Sequence, residues 1–110
     1  MIKHLKPKTE EEMNLFFQQL SPNEKLLEGC KQGFVNLVKD ALKEGANEHK
    51  KTNDPVFSGG LSWAIIYNHA EIVKLLIDDG ANLTWYSAYG KKEIKRLLKT
   101  LDDKASDAKN

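Results

Sequence analysis

The side chains that could carry out chemistry are few and stand apart in the sequence. None of the three histidines, His4, His49 and His69, has a cysteine or carboxylate at a metal-binding spacing such as i, i+4 on a helix face. The single cysteine, Cys30, cannot form an intrachain disulfide or a thiolate zinc cluster, and its place in an apolar pattern predicts a buried, inert thiol. The sequence therefore predicts no metal site and no cofactor.

Motifs for phosphate binding or nucleophilic catalysis are also missing from the sequence. Gly59-Gly60 follows no predicted strand and precedes no Lys-Ser or Lys-Thr pair, as a phosphate-binding loop would require. Ser58 and Ser62 do not stand in a Gly-x-Ser-x-Gly context. The acidic pair Asp78-Asp79 closes a predicted helix, where we expect it to be solvated. We therefore predict that the protein is not an enzyme.

Length and charge narrow the function classes further. The chain has 110 residues, of which 40% are hydrophobic and 30% charged, which is typical of one small globular domain. Its formal net charge is +1 and only Arg96 among its 17 basic residues is an arginine, so we expect no nucleic-acid binding. No signal peptide is evident, and no apolar run approaches the ~20 residues of a membrane span. We expect no membrane contact and an action in the cytoplasm of the producing cell, or of a host cell after export.

The elements that position these residues are clearest in 61–82. The apolar first half of this segment closes at Tyr67, and a second apolar run with helical spacing follows and stops at Gly80. Asn tolerates the left-handed backbone of a tight turn, and Gly is the common residue just beyond a helix end. The segment therefore predicts two short antiparallel helices joined by a turn at Asn68 and His69.

The same pattern occurs upstream and, in part, downstream. Residues 26–47 align with 61–82 without a gap, and the identical pairs fall at turn and core positions: Leu26/Leu61, Val38/Val73, Lys39/Lys74, Gly45/Gly80, Ala46/Ala81 and Asn47/Asn82. Residues 88–98 repeat only the second-helix half, and the last helix is expected from Lys91 to Leu101. An atypical terminal unit is what a repeat array needs at its open end.

The turn and the apolar run after it carry a family resemblance. The segment from Asn68 to Leu76, with the closing Gly80-Ala81-Asn82, resembles an ankyrin repeat. The resemblance covers 26–98 and implies an all-α fold, an ankyrin-like repeat stack of antiparallel helix pairs with an N-terminal capping helix and a truncated C-terminal repeat. The family's Thr-Pro-Leu-His opening appears here as Gly59-Gly60-Leu61-Ser62, and we expect these glycines to give the first helix of the second repeat a looser start.

The remaining segments are assigned around these repeats. Thr9 and Ser21 each open a capping box, which predicts that helices begin there. The apolar stripe of the first helix, which includes Phe16 and Phe17, either covers the flank of the first repeat, the interpretation we favour, or docks on a partner. The expected divisions are a flexible lead at 1–8, an N-terminal capping helix at 9–20, repeat 1 at 21–47, an extended hairpin loop at 48–60, repeat 2 at 61–82, a truncated C-terminal repeat at 83–101 and a flexible tail at 102–110.

The resemblance also implies where a binding surface would lie, because ankyrin-like domains generally bind proteins through hairpin tips and first helices. Carried over position by position, with aromatic side chains as the expected anchors, the predicted partner-binding residues are Lys31, Gln32, Asp54, Val56, Phe57, Ser58, Ile66, Tyr67, Trp85 and Tyr89. Val56 and Phe57 either anchor a partner or pack back on the first helices. Trp63 is left out because its position is usually buried.

These features together predict a protein–protein interaction module. We expect a monomer rather than a homo-oligomer, binding one protein partner as a small adaptor or inhibitor. Two alternatives stay open. The chain could be a structural module that self-associates through the face of Phe16 and Phe17 or through the aromatic patch. It could also be an inhibitor of a host enzyme or of a toxin, encoded by a phage or symbiont or acting as an immunity protein.

Overall fold

The computed structural model describes residues 10–51, 60–84 and 86–109, with side chains described in 13–51, 60–84 and 86–104. The helices in these ranges are α1 Glu10–Phe17, α2 Pro22–Gln32, α3 Val35–Lys43, α4 Glu48–Lys51, α5 Leu61–Ile66, α6 Ala70–Asp78 and α7 Ala88–Lys109. No strand occurs in the same ranges. The predicted all-α class is therefore confirmed, and α2/α3 and α5/α6 form the two repeated helix pairs.

The first helix pair begins and turns where the sequence predicts. At the start of α2, the Ser21 hydroxyl accepts a hydrogen bond from the Glu24 amide at 3.3 Å, and the Glu24 carboxylate accepts one from the Ser21 amide at 2.9 Å. This reciprocal capping box satisfies amides that no helical carbonyl can reach. Gly33, with a φ of 77°, then ends α2 in the left-handed conformation and turns the chain toward α3.

The second pair, α5/α6, has the predicted turn and the predicted ending. Asn68 takes a φ of 59° between the helices, and the amide of His69 donates a hydrogen bond to the carbonyl of Ala64 at 2.8 Å. Gly45 and Gly80, the equivalent residues after α3 and α6, have φ values of 99° and 95°. These left-handed positions confirm the turn and the helix ends expected from Asn68 and the two glycines.

One apolar core runs through both pairs and into the last helix. Helices α2 and α5 lie side by side in one layer, α3 and α6 lie in the next, and α7 packs on α6 and α5. The buried side chains of this core are Leu26, Cys30, Val38, Ala41, Ala46, Leu61, Ala64, Ile72, Val73, Leu76, Ile94 and Leu97. Burial raises the pKa of the Cys30 thiol to about 12, so the thiol stays protonated and unreactive, as its apolar context predicts.

The start of α5 is tightly packed. Gly60 precedes this helix with a φ of 98° and lies against Cys30 of α2. A Cβ atom at position 60 would stand 2.6 Å from the Cβ atom of Cys30 and 2.7 Å from its Sγ atom, closer than packed atoms come. The looser start expected at this helix is therefore wrong, because glycine at position 60 lets the two first helices approach each other.

The segment expected as an extended hairpin loop, 48–60, begins with the short helix α4. His49 in α4 is 1% exposed, and its Nε2 atom donates a hydrogen bond to Oδ2 of Asp79 at 2.8 Å. The carbonyl of His49 accepts a hydrogen bond from the amide of Asn82 at 2.7 Å. Asp79, which we expected to be solvated, instead holds the segment after repeat 1 against the end of repeat 2.

Electrostatics support this connection. Partial burial acts to raise the pKa of Asp79, but hydrogen bonds from His49 and Lys50 outweigh it and hold that pKa below its usual value. The ammonium group of Lys50 lies 3.4 Å from the same carboxylate oxygen. Asp79 therefore stays ionised at neutral pH and accepts hydrogen bonds from His49 and Lys50 of α4.

The last helix is longer than the sequence predicts. We expected it from Lys91 to Leu101, whereas α7 extends from Ala88 to Lys109. Residues 102–109, expected to form a polar tail, contain no glycine or proline, so no strong helix breaker follows Leu101. The expected limits of this helix are therefore wrong at both ends.

The direction of α7 also differs from that of the helix it resembles in sequence. Just before α7 begins, the Tyr86 hydroxyl lies 2.9 Å from the Ser62 hydroxyl, in the first turn of α5. In the middle of α7, Arg96 donates a hydrogen bond to Oδ1 of Asn68 at 2.8 Å, just before α6 begins. Helix α7 thus passes from the beginning of α5 to the beginning of α6, so it runs antiparallel to α6 and parallel to α5.

Helix α1 covers one flank of repeat 1 with part of its apolar stripe. Phe17 is 1% exposed and meets Phe34 edge to face, with ring centroids 5.9 Å apart. Phe16 and Leu15 stay exposed, and Thr9, the predicted cap, lies outside the described residues. The contact of Phe17 favours the capping interpretation of this helix, whereas Phe16 and Leu15 remain available to a partner.

Candidate binding surface

The last turns of α2 and α5 bring four of the predicted residues together. They lie at the end of the molecule where a turn joins the two helices of each pair, which we call the turn end. Helix α5 starts at the opposite end, which we call the loop end. Lys31 and Gln32 close α2, and Ile66 closes α5 just before Tyr67. All four are exposed, Ile66 by 64% and Tyr67 by 51%. Because α2 and α5 lie side by side, these residues share one surface.

An aromatic ladder, which we define as Lys31, Trp63, Tyr67 and His69, runs across this surface. The Nζ atom of Lys31 lies 5.6 Å from the centre of the Trp63 ring, within the range of a cation–π contact. The Trp63 ring stacks on the Tyr67 ring, with centroids 5.7 Å apart and planes inclined by 14°. The Tyr67 ring in turn lies 6.0 Å from the His69 ring. The ladder thus joins the last turn of α2 to the start of α6.

Trp63 belongs to this surface although its position predicts a buried side chain. Trp63 lies in α5 and Tyr67 directly follows that helix, so their four-residue spacing places them on one face. Trp63 is partly exposed there, and the expectation that it is buried is wrong. The i, i+4 spacing of two large aromatic residues is the sequence signal that identifies the pair.

The last ring of the ladder, the imidazole of His69, is held in place by its own packing and by backbone hydrogen bonds. Its imidazole packs against Gly33, where a Cβ atom would lie 2.7 Å from Cε1 of the ring. Its amide donates a hydrogen bond to the carbonyl of Ala64, and its carbonyl accepts one from the amide of Val73. A surface fixed in this way loses less conformational entropy when a partner binds.

The other predicted site residues stand outside the ladder. Those outside the described residues are Asp54, Val56, Phe57, Ser58 and Trp85. Tyr89 is 73% exposed in the first turn of α7. It shares a helix face with Arg96, which contacts Asn68, but lies about 10 Å nearer the loop end, given the rise of about 1.5 Å per residue. Its part in binding stays a prediction.

The described residues of this surface offer groups that are suited to binding. The ladder and its neighbours present aromatic faces, an aliphatic side chain and the Lys31 ammonium group. Within the described part of the chain, no group of three or more His, Cys, Asp or Glu side chains could hold a metal ion. None of the helices found there combines the length and apolar character needed to cross a membrane.

Comparison with known proteins adds one finding. Residues 61–87 match a family model described as the ankyrin repeat. The match spans α5, the turn, α6 and the segment up to the start of α7, and it contains the residues on which the resemblance rests. The resemblance is therefore confirmed over 61–87, and three of the four ladder residues lie within this segment. No curated protein and no solved structure matches the chain.

Proposed function

Because the chain contains an ankyrin repeat, a module that generally binds other proteins, we propose that it binds one protein partner through the aromatic ladder and the exposed residues beside it. In this proposal the protein is a monomer that acts as a small adaptor or inhibitor, by occupying a site on its partner. Its proposed place of action is the cytoplasm, of the producing cell or of a host cell, where a single cysteine such as Cys30 stays reduced.

The observation that carries this proposal is the exposure of Ile66 and Tyr67 beside the stacked ring of Trp63. Tyrosine and tryptophan are enriched among interface residues whose truncation costs about 2 kcal/mol or more of binding free energy. The stacked arrangement also presents these rings in one orientation before the partner arrives. The ladder is a single compact patch on two neighbouring helices, which favours one partner site over a long groove.

The proposal predicts that the ladder supplies most of the affinity for the partner. Tagged wild type and a Trp63→Ala/Tyr67→Ala variant are used to capture proteins from the native cell, and affinities for the captured protein are then measured. We expect the dissociation constant of the double variant to be at least about tenfold higher, a loss of about 1.4 kcal/mol. Circular dichroism verifies that both proteins are equally helical.

A matched control replaces exposed apolar residues elsewhere. Leu15→Ala/Phe16→Ala removes two such side chains from α1 and should leave the affinity unchanged. Equal affinity of wild type and the ladder variant would contradict the proposal. Tyr89→Ala tests separately whether the surface extends along α7. The identity of the captured protein distinguishes an adaptor from an inhibitor of a host enzyme or of a toxin.

Self-association is the second candidate function. On α1, Leu15 is 75% exposed and Phe16 is 53% exposed. A pocket of about 160 Å³ lies beside them, and Phe16, Leu20 and Leu27 line it. Exposed apolar side chains of this size often mark an interaction surface. A wild-type mass that rises with concentration, but not in the Leu15→Ala/Phe16→Ala variant, would support this candidate, and a strict monomer across the range would exclude it.

A further inference from the structure

A groove of about 360 Å³ opens at the turn end, between α7 and the beginnings of α3 and α6. Its apolar lining includes Val35, Ile72, Leu97 and Leu101. Ile72 and Leu97 also belong to the buried core, so the floor of the groove is part of the rigid interior. The groove exists because α7 runs antiparallel to α6 and extends beyond the start of α6.

The rim of the groove carries more positive than negative side chains. Arg96 and Lys104 line it from α7, and Glu71 lines it from α6. Arg96 forms an ion pair with Glu93 at 3.0 Å, which compensates its charge, and donates a hydrogen bond to Oδ1 of Asn68 at 2.8 Å. Lys104 has no ion-pair partner among the side chains that the structure describes.

The backbone also contributes positive charge at the groove. The first residues of α3 and α6, Val35 and Ala70, both line the groove. Neither helix has a side-chain cap at its start. The first-turn amides of a helix carry partial positive charge, so these two helix starts reinforce the field of Lys104.

We propose that this groove receives an acidic peptide segment of a partner protein, with an apolar side chain on the floor and a carboxylate beside Lys104. A small inorganic anion would leave the apolar floor uncovered, and an uncharged apolar segment would place no carboxylate beside Lys104. A segment with both kinds of side chain matches both parts of the groove. This surface is distinct from the aromatic ladder, although His69 adjoins both.

A peptide selection tests the proposal. A random linear peptide library displayed on phage is selected on the full-length protein, and one enriched synthetic peptide is measured by fluorescence anisotropy. We expect the enriched peptides to combine Asp or Glu with Leu, Ile or Phe. For Lys104→Glu, the dissociation constant should rise at least about tenfold, because a carboxylate of the protein then faces a carboxylate of the peptide.

Lys95→Glu is the matched control for this charge reversal. At 3.6 residues per turn, Lys95 and Lys104 lie about half a turn apart around α7, so Lys95→Glu makes the same charge change on the opposite face. It should change the peptide affinity less than about twofold. Thr100→Trp, which places a large ring at the groove, should abolish binding without altering the net charge.

Other results would overturn the proposal. Enriched peptides without acidic residues, equal affinity of the peptide for wild type and Lys104→Glu, or displacement of the peptide by inorganic phosphate alone would each do so. The Trp63→Ala/Tyr67→Ala variant should bind the peptide normally. Failure at the groove and failure at the ladder are therefore distinguishable.

Discussion

At the scale of single residues, Gly60 shows how a contact with a distant residue decides what a position tolerates. Alanine at position 60 would have to adopt a φ near 98° and to displace Cys30. Left-handed strain and overpacking each cost roughly 1–3 kcal/mol. We therefore expect Gly60→Ala to lower the free energy of unfolding by about 3 kcal/mol, as measured by urea unfolding followed by circular dichroism.

Gly45 is the matched control for this substitution. Its φ of 99° is nearly the same, but no atom lies within 4 Å of a Cβ atom built there. Gly45→Ala should therefore cost only the backbone strain, about 1 kcal/mol. Equal losses for the two variants would show that Gly60 does not press against Cys30, and that its backbone conformation alone requires glycine.

The residues that were predictable from the sequence are those with local causes. The Ser21 capping box and the left-handed Asn68 depend only on neighbours a few positions away, so their residue types specify the geometry. The contact of Gly60 with Cys30 and the hydrogen bond of His49 to Asp79 join residues about 30 positions apart. Such contacts follow from how the repeats stack, which the sequence pattern does not give.

At the scale of elements, α7 shows that apolar spacing defines a helix face but not a helix direction. Residues 88–98 match the second-helix pattern since both helices bury one apolar stripe on the same core. Helix α7 follows α6 as α5 follows α3: it starts at the loop end and runs antiparallel to the helix before it. The order of the helices was therefore the better signal, and the groove at the turn end depends on it.

A spin label tests the direction of α7. With the label at Lys104→Cys, we expect paramagnetic broadening of the amide signals of Gly33, Asn68 and Ala70 at the turn end, and not of Gly80 at the loop end. The native Cys30 should stay unlabelled, because it is buried and the pKa of its thiol is raised to about 12.

Lys92→Cys provides the reverse control for the spin label. This residue lies near the start of α7, so a label there should broaden signals from the loop end instead. If α7 ran parallel to α6, the two labels would exchange their patterns, and the groove would not form from these residues.

The candidate surface was partly predictable at the same scale. Lys31, Gln32, Ile66 and Tyr67 follow from the repeat register, because equivalent residues end equivalent helices. Trp63 was missed, since a large side chain in the first helix of a repeat is usually buried and its i, i+4 spacing from Tyr67 was not given weight. The ladder is therefore a product of two stacked repeats rather than of either one.

At the scale of the whole molecule, the continuous core predicts that both repeats unfold together, because each buries its apolar face against the other. Val38 in repeat 1 is fully buried, and Val38→Ala should cost about 2 kcal/mol. Both tryptophans, Trp63 and Trp85, follow repeat 1 in sequence. Val38→Ala should nevertheless lower the urea midpoint measured by tryptophan fluorescence as much as the midpoint measured by circular dichroism. Lys39→Ala, an exposed neighbour, should move neither. A fluorescence midpoint that stays in place while the dichroism curve gains an early phase would mean that the repeats unfold separately.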